Sequence, residues 1–182
     1  MDLHHTAIQP IGPFYHFALT PNNDAGIMAG ANAKGERIDL AIRLLDGDGK
    51  PVTNGMIELW QASAAGNYND PGDPAFYGFG RLATDNQGLC LFQTVKPGCV
   101  QGLSGRTQAP HIDVSIYAPG LLRRLVTRIY FGEDATNDSD QVLALIPANR
   151  RATLLARKTL EGSQWNIDIH LCGTCETVFF DV

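Results

Sequence analysis

Residues 111–117 read His-Ile-Asp-Val-Ser-Ile-Tyr. Side chains two apart on a strand share a face, so His111, Asp113, Ser115 and Tyr117 point one way and Ile112, Val114 and Ile116 the other. The apolar set belongs to a core. An imidazole and a carboxylate, donor types that ligate metals, are then left side by side on the polar face. The irregular segment before them, with Gly102, Ser104 and Gly105, is long enough to line a cleft. Taken alone, a His-x-Asp of this kind is more often a solvated strand face than a site.

Cys172-Gly173-Thr174-Cys175 is the other cluster with chemistry in it. A zinc centre needs a second ligand pair at matching spacing, and the remaining cysteines, Cys90 and Cys99, are isolated. A redox dithiol sits at the start of a helix, whereas this pair lies between two strand-like runs. It reads as a turn.

These side chains must be positioned by a chain of 182 residues, enough for one domain with a real core. Hydrophobic residues make up 44% and charged ones 18%, which excludes a disordered chain. The 14 basic and 19 acidic residues give a formal charge of −5, offering nothing to nucleic acid or an anionic membrane. No apolar run reaches transmembrane length, and the amino terminus lacks the charged start and apolar stretch of a signal peptide. The expectation is a cytoplasmic protein.

Residues 1–36, irregular and rich in Pro, Gly and Asn, are expected to form an arm whose aromatics Phe14, Tyr15 and Phe17 are partly buried. From Arg37 onward the pattern turns to strands: 37–45, 56–62, 81–84, 89–95, 111–117, 125–131, 154–160, 165–171 and 177–180. Turn signals such as Asp46-Gly47-Asp48-Gly49 and Asp85-Asn86-Gln87-Gly88 punctuate them. The one helical spacing is Asn137 to Ile146, capped by Asn137 or Ser139 and ended by Pro147. Many short strands indicate an all-β sandwich or barrel. The expected fold is therefore mainly β: a two-sheet β-sandwich over 37–182, with an irregular N-terminal arm and one or two short helices.

The landmarks Asn54-Gly55-x-Ile57-Glu58-x-Trp60-Gln61-Ala62, Ala65-Gly66-Asn67-Tyr68, Gly78-x-Gly80-Arg81, Thr84-Asp85, Lys96-Pro97-Gly98 and Ala109-Pro110-His111-Ile112 occur in this order. Together they resemble the intradiol ring-cleavage dioxygenases, from about Gly12 to the carboxyl terminus. Thr127-Arg128-Ile129-Tyr130-Phe131 and Glu176-Thr177-Val178-Phe179-Phe180-Asp181 resemble the α chain of the family's two-chain members.

The resemblance implies ferric iron held by two tyrosines and two histidines in catalytic chains. Tyr68 matches the first tyrosine and His111 the first histidine. Val100 stands where the second tyrosine belongs, and Asp113 where the second histidine belongs. The expectation is a chain that kept the fold and lost the metal, its Fe(III) being held by a partner β chain in a hetero-oligomer of αβ units. Such a complex, by resemblance, cleaves 3,4-dihydroxybenzoate with O₂ to 3-carboxy-cis,cis-muconate. The same resemblance places Pro10, Gly12 and Pro13 of the arm, together with Arg128, against the partner's active site. Two other readings compete with it. One is a self-sufficient metalloenzyme using Tyr68, His111 and Asp113; the other is a non-enzymatic β-sandwich binding protein.

Overall fold

A computed structural model of the chain describes residues 15–102, 105–160 and 162–181. The strands are β1 Arg37–Leu45, β2 Met56–Gln61, β3 Phe79–Ala83, β4 Leu89–Val95, β5 Val100–Gln101, β6 Thr107–Gln108, β7 His111–Tyr117, β8 Leu125–Phe131, β9 Leu155–Lys158 and β10 Gln164–His170. Two five-residue helices accompany them, α1 Tyr15–Leu19 and α2 Gln141–Leu145, with short 3-10 turns at Asp24–Gly26, Ala135–Ser139 and Arg151–Leu154.

The turn aspartates tie the tight turns that follow β1 and β3. Asp46 Oδ1 accepts the N–H groups of Asp48 and Lys50 at 2.9 and 2.8 Å. Asp85 Oδ1 accepts those of Gln87 and Leu89 at 2.7 and 2.8 Å. Each carboxylate satisfies donors that the turn would otherwise leave bare.

Eight strands run in the order β3-β2-β7-β8-β9-β10-β1-β4, and β5 and β6 form a separate small hairpin. Neighbours are antiparallel except β8–β9 and β1–β10. The expected mainly-β class with few short helices is what the chain forms. What the sequence presents as two sheets is linked by β9, which pairs with β8 on one side and β10 on the other. The outermost strands β3 and β4 follow each other in sequence, and the Cys90 thiol lies within hydrogen-bonding reach of the Leu82 and Ala83 carbonyls. The sheet is therefore nearly closed, like a barrel.

Its inner face is one core. Ile57, Leu59, Ile112, Val114 and Ile129 from one half meet Leu40, Ile42, Phe92, Trp165 and Ile169 from the other, all almost fully buried. Phe131 packs edge-on against Trp165 with ring centroids 5.0 Å apart. Full burial of each such side chain contributes on the order of 1.5–3 kcal/mol, which is what holds the two halves together.

A second, smaller cluster decides the environment of the site. Leu143 and Ile146 at α2, together with Leu154 and Ala109, cover Tyr130 on the outer face of β8.

Three expectations change on inspection. The helix expected over 137–146 is a 3-10 turn followed by α2, and its cap is Asp140. Asp140 Oδ1 accepts from the N–H groups of Val142 and Leu143 at 2.9 and 2.8 Å. Residues 177–180 make a single bridge, Val126–Phe180, instead of a closing strand. The segment crosses from β10 to β8, with Thr177 N bonded to His170 O and Phe180 N to Val126 O, so it cannot run along either. Phe17 is 79% exposed, on a helix of five residues too short to bury a face.

Candidate functional site

β2, β7 and β8 set the site by register. Trp60 stands opposite Asp113, Asp113 opposite Arg128, and His111 opposite Tyr130. On the outer face this aligns an aromatic ring, a carboxylate and a guanidinium in one row, with the imidazole one step along.

Tyr68 comes from the loop between β2 and β3. Ser63 holds that loop: its N–H bonds to Asn67 O at 2.9 Å and its hydroxyl to Asp70 Oδ2 at 2.7 Å. Its carbonyl accepts from both Gly66 N and Gly98 N, which ties the loop to Lys96-Pro97-Gly98. Gly66 has φ +79°, and a Cβ there would collide with the Cys99 carbonyl oxygen, so only glycine allows this approach. The Tyr68 ring then stacks on Trp60, centroids 5.9 Å apart and planes 11° apart.

His111 is 1% exposed, its ring beside that of Tyr130 with centroids 5.8 Å apart. Its Nδ1 lies 2.7 Å from Ala109 O. A carbonyl only accepts, so Nδ1 carries the proton and Nε2 keeps a lone pair. Tyr68 Oη lies 3.5 Å from that lone pair, a long contact. Burial, with the Arg128 charge adding to it, lowers the imidazole's pKa below its ordinary value. The ring is neutral.

Arg128 Nε donates to Asp113 Oδ1 at 2.8 Å, and its Nη1 donates to Gln108 Oε1 at 2.9 Å. Burial works against its charge, but hydrogen bonding to Tyr130 and the Asp113 carboxylate outweigh that, so the guanidinium titrates above its ordinary value. Tyr130 OH in turn donates to Asp140 Oδ1 at 3.3 Å. Asp140 Oδ2 accepts from Ala109 N at 2.8 Å. The Tyr68 phenol is pushed up, by burial first and by the Asp113 carboxylate second. Hydrogen bonds thus link Tyr130, Asp140, Ala109, His111 and Tyr68 in one run, and Gln108, Arg128 and Asp113 in another beside it.

The structure thus brings together four of the residues singled out in the sequence, Tyr68, His111, Asp113 and Arg128. Val100 is buried on β5, opposite Gln108, and offers no lone pair. Pro10, Gly12 and Pro13 lie outside the described residues. Gln108, Tyr130 and Asp140 were not anticipated. The alternation of β8 does place Tyr130 on Arg128's face, but nothing local marks its cover. Cys172 and Cys175 are exposed thiols in a turn, closed by Glu176 N to Gly173 O at 3.1 Å.

A cavity of about 260 Å³ opens beside the Asp113–Arg128 pair, lined by these two and by Val126, Val142, Phe180 and Asp181. A larger one, about 480 Å³, lies over β9 and β10 and shares none of these residues.

The geometry can be set beside known proteins. A family model described as Dioxygenase matches residues 11–173, most of the chain. Over nearly its whole length the chain is also similar to two proteins called protocatechuate 3,4-dioxygenase alpha chain. That of Burkholderia cepacia is 35% identical, covering 99% of this chain and 98% of its own. That of Pseudomonas putida is 39% identical, covering 97% and 96%. This chain belongs to the intradiol dioxygenase family. A further family member, the protocatechuate 3,4-dioxygenase beta chain of Burkholderia cepacia, is 36% identical over 86% of this chain and 68% of its own.

The intradiol family depends on iron, and the donor set here can be tested against that need. Among the described residues, no group of three or more His, Cys, Asp and Glu side chains is placed to hold a metal ion. Of the four positions at which the resemblance implies ligands, one is an apolar valine and another, Asp113, is bonded to a guanidinium. The residues do not fit ferric iron.

Proposed function

We propose that this chain is the iron-free α subunit of a protocatechuate 3,4-dioxygenase. In this reading its partner is the β chain, which holds Fe(III), and the αβ complex cleaves 3,4-dihydroxybenzoate with O₂ to 3-carboxy-cis,cis-muconate. The observation that carries the reading is a pairing of facts. The chain is similar over nearly its whole length to two alpha chains, yet at the two other positions where the resemblance implies ligands it carries Val100 and an Asp113 paired with Arg128.

The chain's own contribution is then binding and shape. The arm residues Pro10, Gly12 and Pro13 and the Arg128 face lie against the partner's active site, where Arg128 offers positive charge to the substrate carboxylate. The two halves of the sheet act as the two layers of a β-sandwich, bridged by β9. Four free cysteines suit a reducing, cytoplasmic setting.

Separate and joint expression with a β chain tests this. The expected result is a stable complex with one ferric ion per αβ unit, lost when the β chain's iron is removed, and no ring cleavage by this chain alone. Ring cleavage by the purified chain without a β chain overturns it.

A further inference from the structure

The geometry points to Arg128 as a built-in cation that occupies the Tyr68–His111–Asp113 cluster and keeps metal ions out of it. This role belongs to the chain's own side chains and adds to the subunit reading, in which a partner holds the iron.

Ligand count does not by itself exclude a metal here. Three protein ligands and a water make a common catalytic zinc set, so the valine at position 100 removes one donor without closing the site. The remaining donors already converge. Two ligands about 2.0–2.1 Å from one ion stand roughly 3–3.4 Å apart, and Tyr68 Oη lies 3.5 Å from His111 Nε2. The His111 tautomer, set by Ala109 O, turns its lone pair toward Tyr68. Asp113 stands opposite Trp60, on whose ring the same phenol stacks. A phenol, an imidazole lone pair and a carboxylate thus meet in one place.

What that place already contains is a positive charge. Arg128 Nε takes Asp113 Oδ1 at 2.8 Å, so the carboxylate is engaged by a cation before any ion arrives. Gln108 Oε1 takes Nη1 at 2.9 Å, and the side chain is only 20% exposed. A planar guanidinium gripped at two points does not swing aside as a lysine would. An incoming ion would meet a fixed like charge and lose its anionic ligand to it.

The test uses the full chain, with Cys172→Ser and Cys175→Ser in every version so that the exposed thiols bind nothing. Ferric nitrilotriacetate is the probe, and bound iron after gel filtration and the visible tyrosinate charge-transfer band are the readouts. The Arg128→Met chain should gain about one iron per chain and bind at least tenfold more tightly than its parent. Arg128→Gln, which keeps polar contacts to Gln108 and Tyr130 without the charge, should do the same. Arg128→Lys, which keeps the charge on a stem that can swing aside, should fall between the parent and Arg128→Met. Adding Tyr68→Phe or His111→Gln to Arg128→Met should abolish both the gain and the band. The inference is overturned if folded Arg128→Met or Arg128→Gln binds no more iron than the parent, or if the gain survives the second substitution. It is equally overturned if the parent shows a stoichiometric Tyr68-dependent band. Failure of the variants to gain iron leaves the subunit reading standing, because that reading concerns where the partner's iron sits.

Discussion

Asp113 and Arg128 stand directly opposite each other across β7 and β8 and share an ion pair of 2.8 Å. The pair does two things at once. It satisfies a carboxylate that would otherwise face Tyr68 alone, and it offsets much of the charge that Arg128 would present to anything outside. A cross-strand pair between partly exposed groups adds only modestly to stability, so its weight lies in the local electrostatics.

That offset sets the size of the first prediction. In the αβ complex, Arg128→Leu should raise KM for 3,4-dihydroxybenzoate by about two- to tenfold, which corresponds to roughly 0.4–1.4 kcal/mol. Turnover of catechol, which lacks the carboxylate, should hardly change. Because the charge is partly exposed, the effect should shrink in high salt. Asp113→Asn removes the counter-charge and should lower KM for the same substrate. Steady-state kinetics on both substrates at low and high ionic strength decide it: equal effects on both, or none, mean that Arg128 does not read that carboxylate.

His111 gives a pH dependence with a definite sign. Burial holds its folded pKa below the ordinary 6.5, in a setting that also includes Tyr68, Asp113, Arg128, Tyr130 and Asp140. As pH falls, the unfolded chain therefore takes up the proton first. The stability linked to this residue is complete above about pH 6.5 and is lost progressively below it, until the folded ring itself protonates. Thermal melts should show a falling Tm from pH 7.5 to 5.5, and His111→Gln should flatten that slope. A His111→Gln chain with the parent's slope over this range would assign the dependence to other groups.

Asp140 should be among the costliest polar positions to lose. One side chain caps α2, accepts from Ala109 N and receives Tyr130 OH. Asp140→Ala removes a helix cap and leaves buried donors without partners, a loss of about 2–4 kcal/mol. For a chain of this size that is a Tm lower by roughly 5–15 °C. Asp140→Asn keeps an acceptor for the cap but replaces the second oxygen with a donor, so its Tm should fall between the two. Calorimetry on the three proteins checks the order. If Asp140→Asn is no better than Asp140→Ala, the Ala109 link rather than the cap dominates.

Much of this molecule was written locally. The alternation in 111–117 and 125–131 gives β7 and β8 with the boundaries the sequence shows, because a strand's side-chain period is carried by neighbouring residues. The turn aspartates and the mainly-β class follow for the same reason, and the motifs that resemble the intradiol family located Tyr68, Val100, His111, Asp113 and Arg128. Periodicity alone gave the polar face of β7 to solvent, and there tertiary structure decided otherwise. Leu143, Ile146 and Leu154, about 30–45 residues further along, cover Tyr130, and His111 beside it is buried as well. The partners of Arg128 were out of reach in the same way, since Gln108 arrives from a small hairpin and Asp113 from the facing strand. Strand alternation fixes which face a side chain takes. Whether that face meets water, a helix or a fixed opposite charge depends on segments distant in sequence, and only their packing sets the protonation state of His111 and the engagement of Arg128.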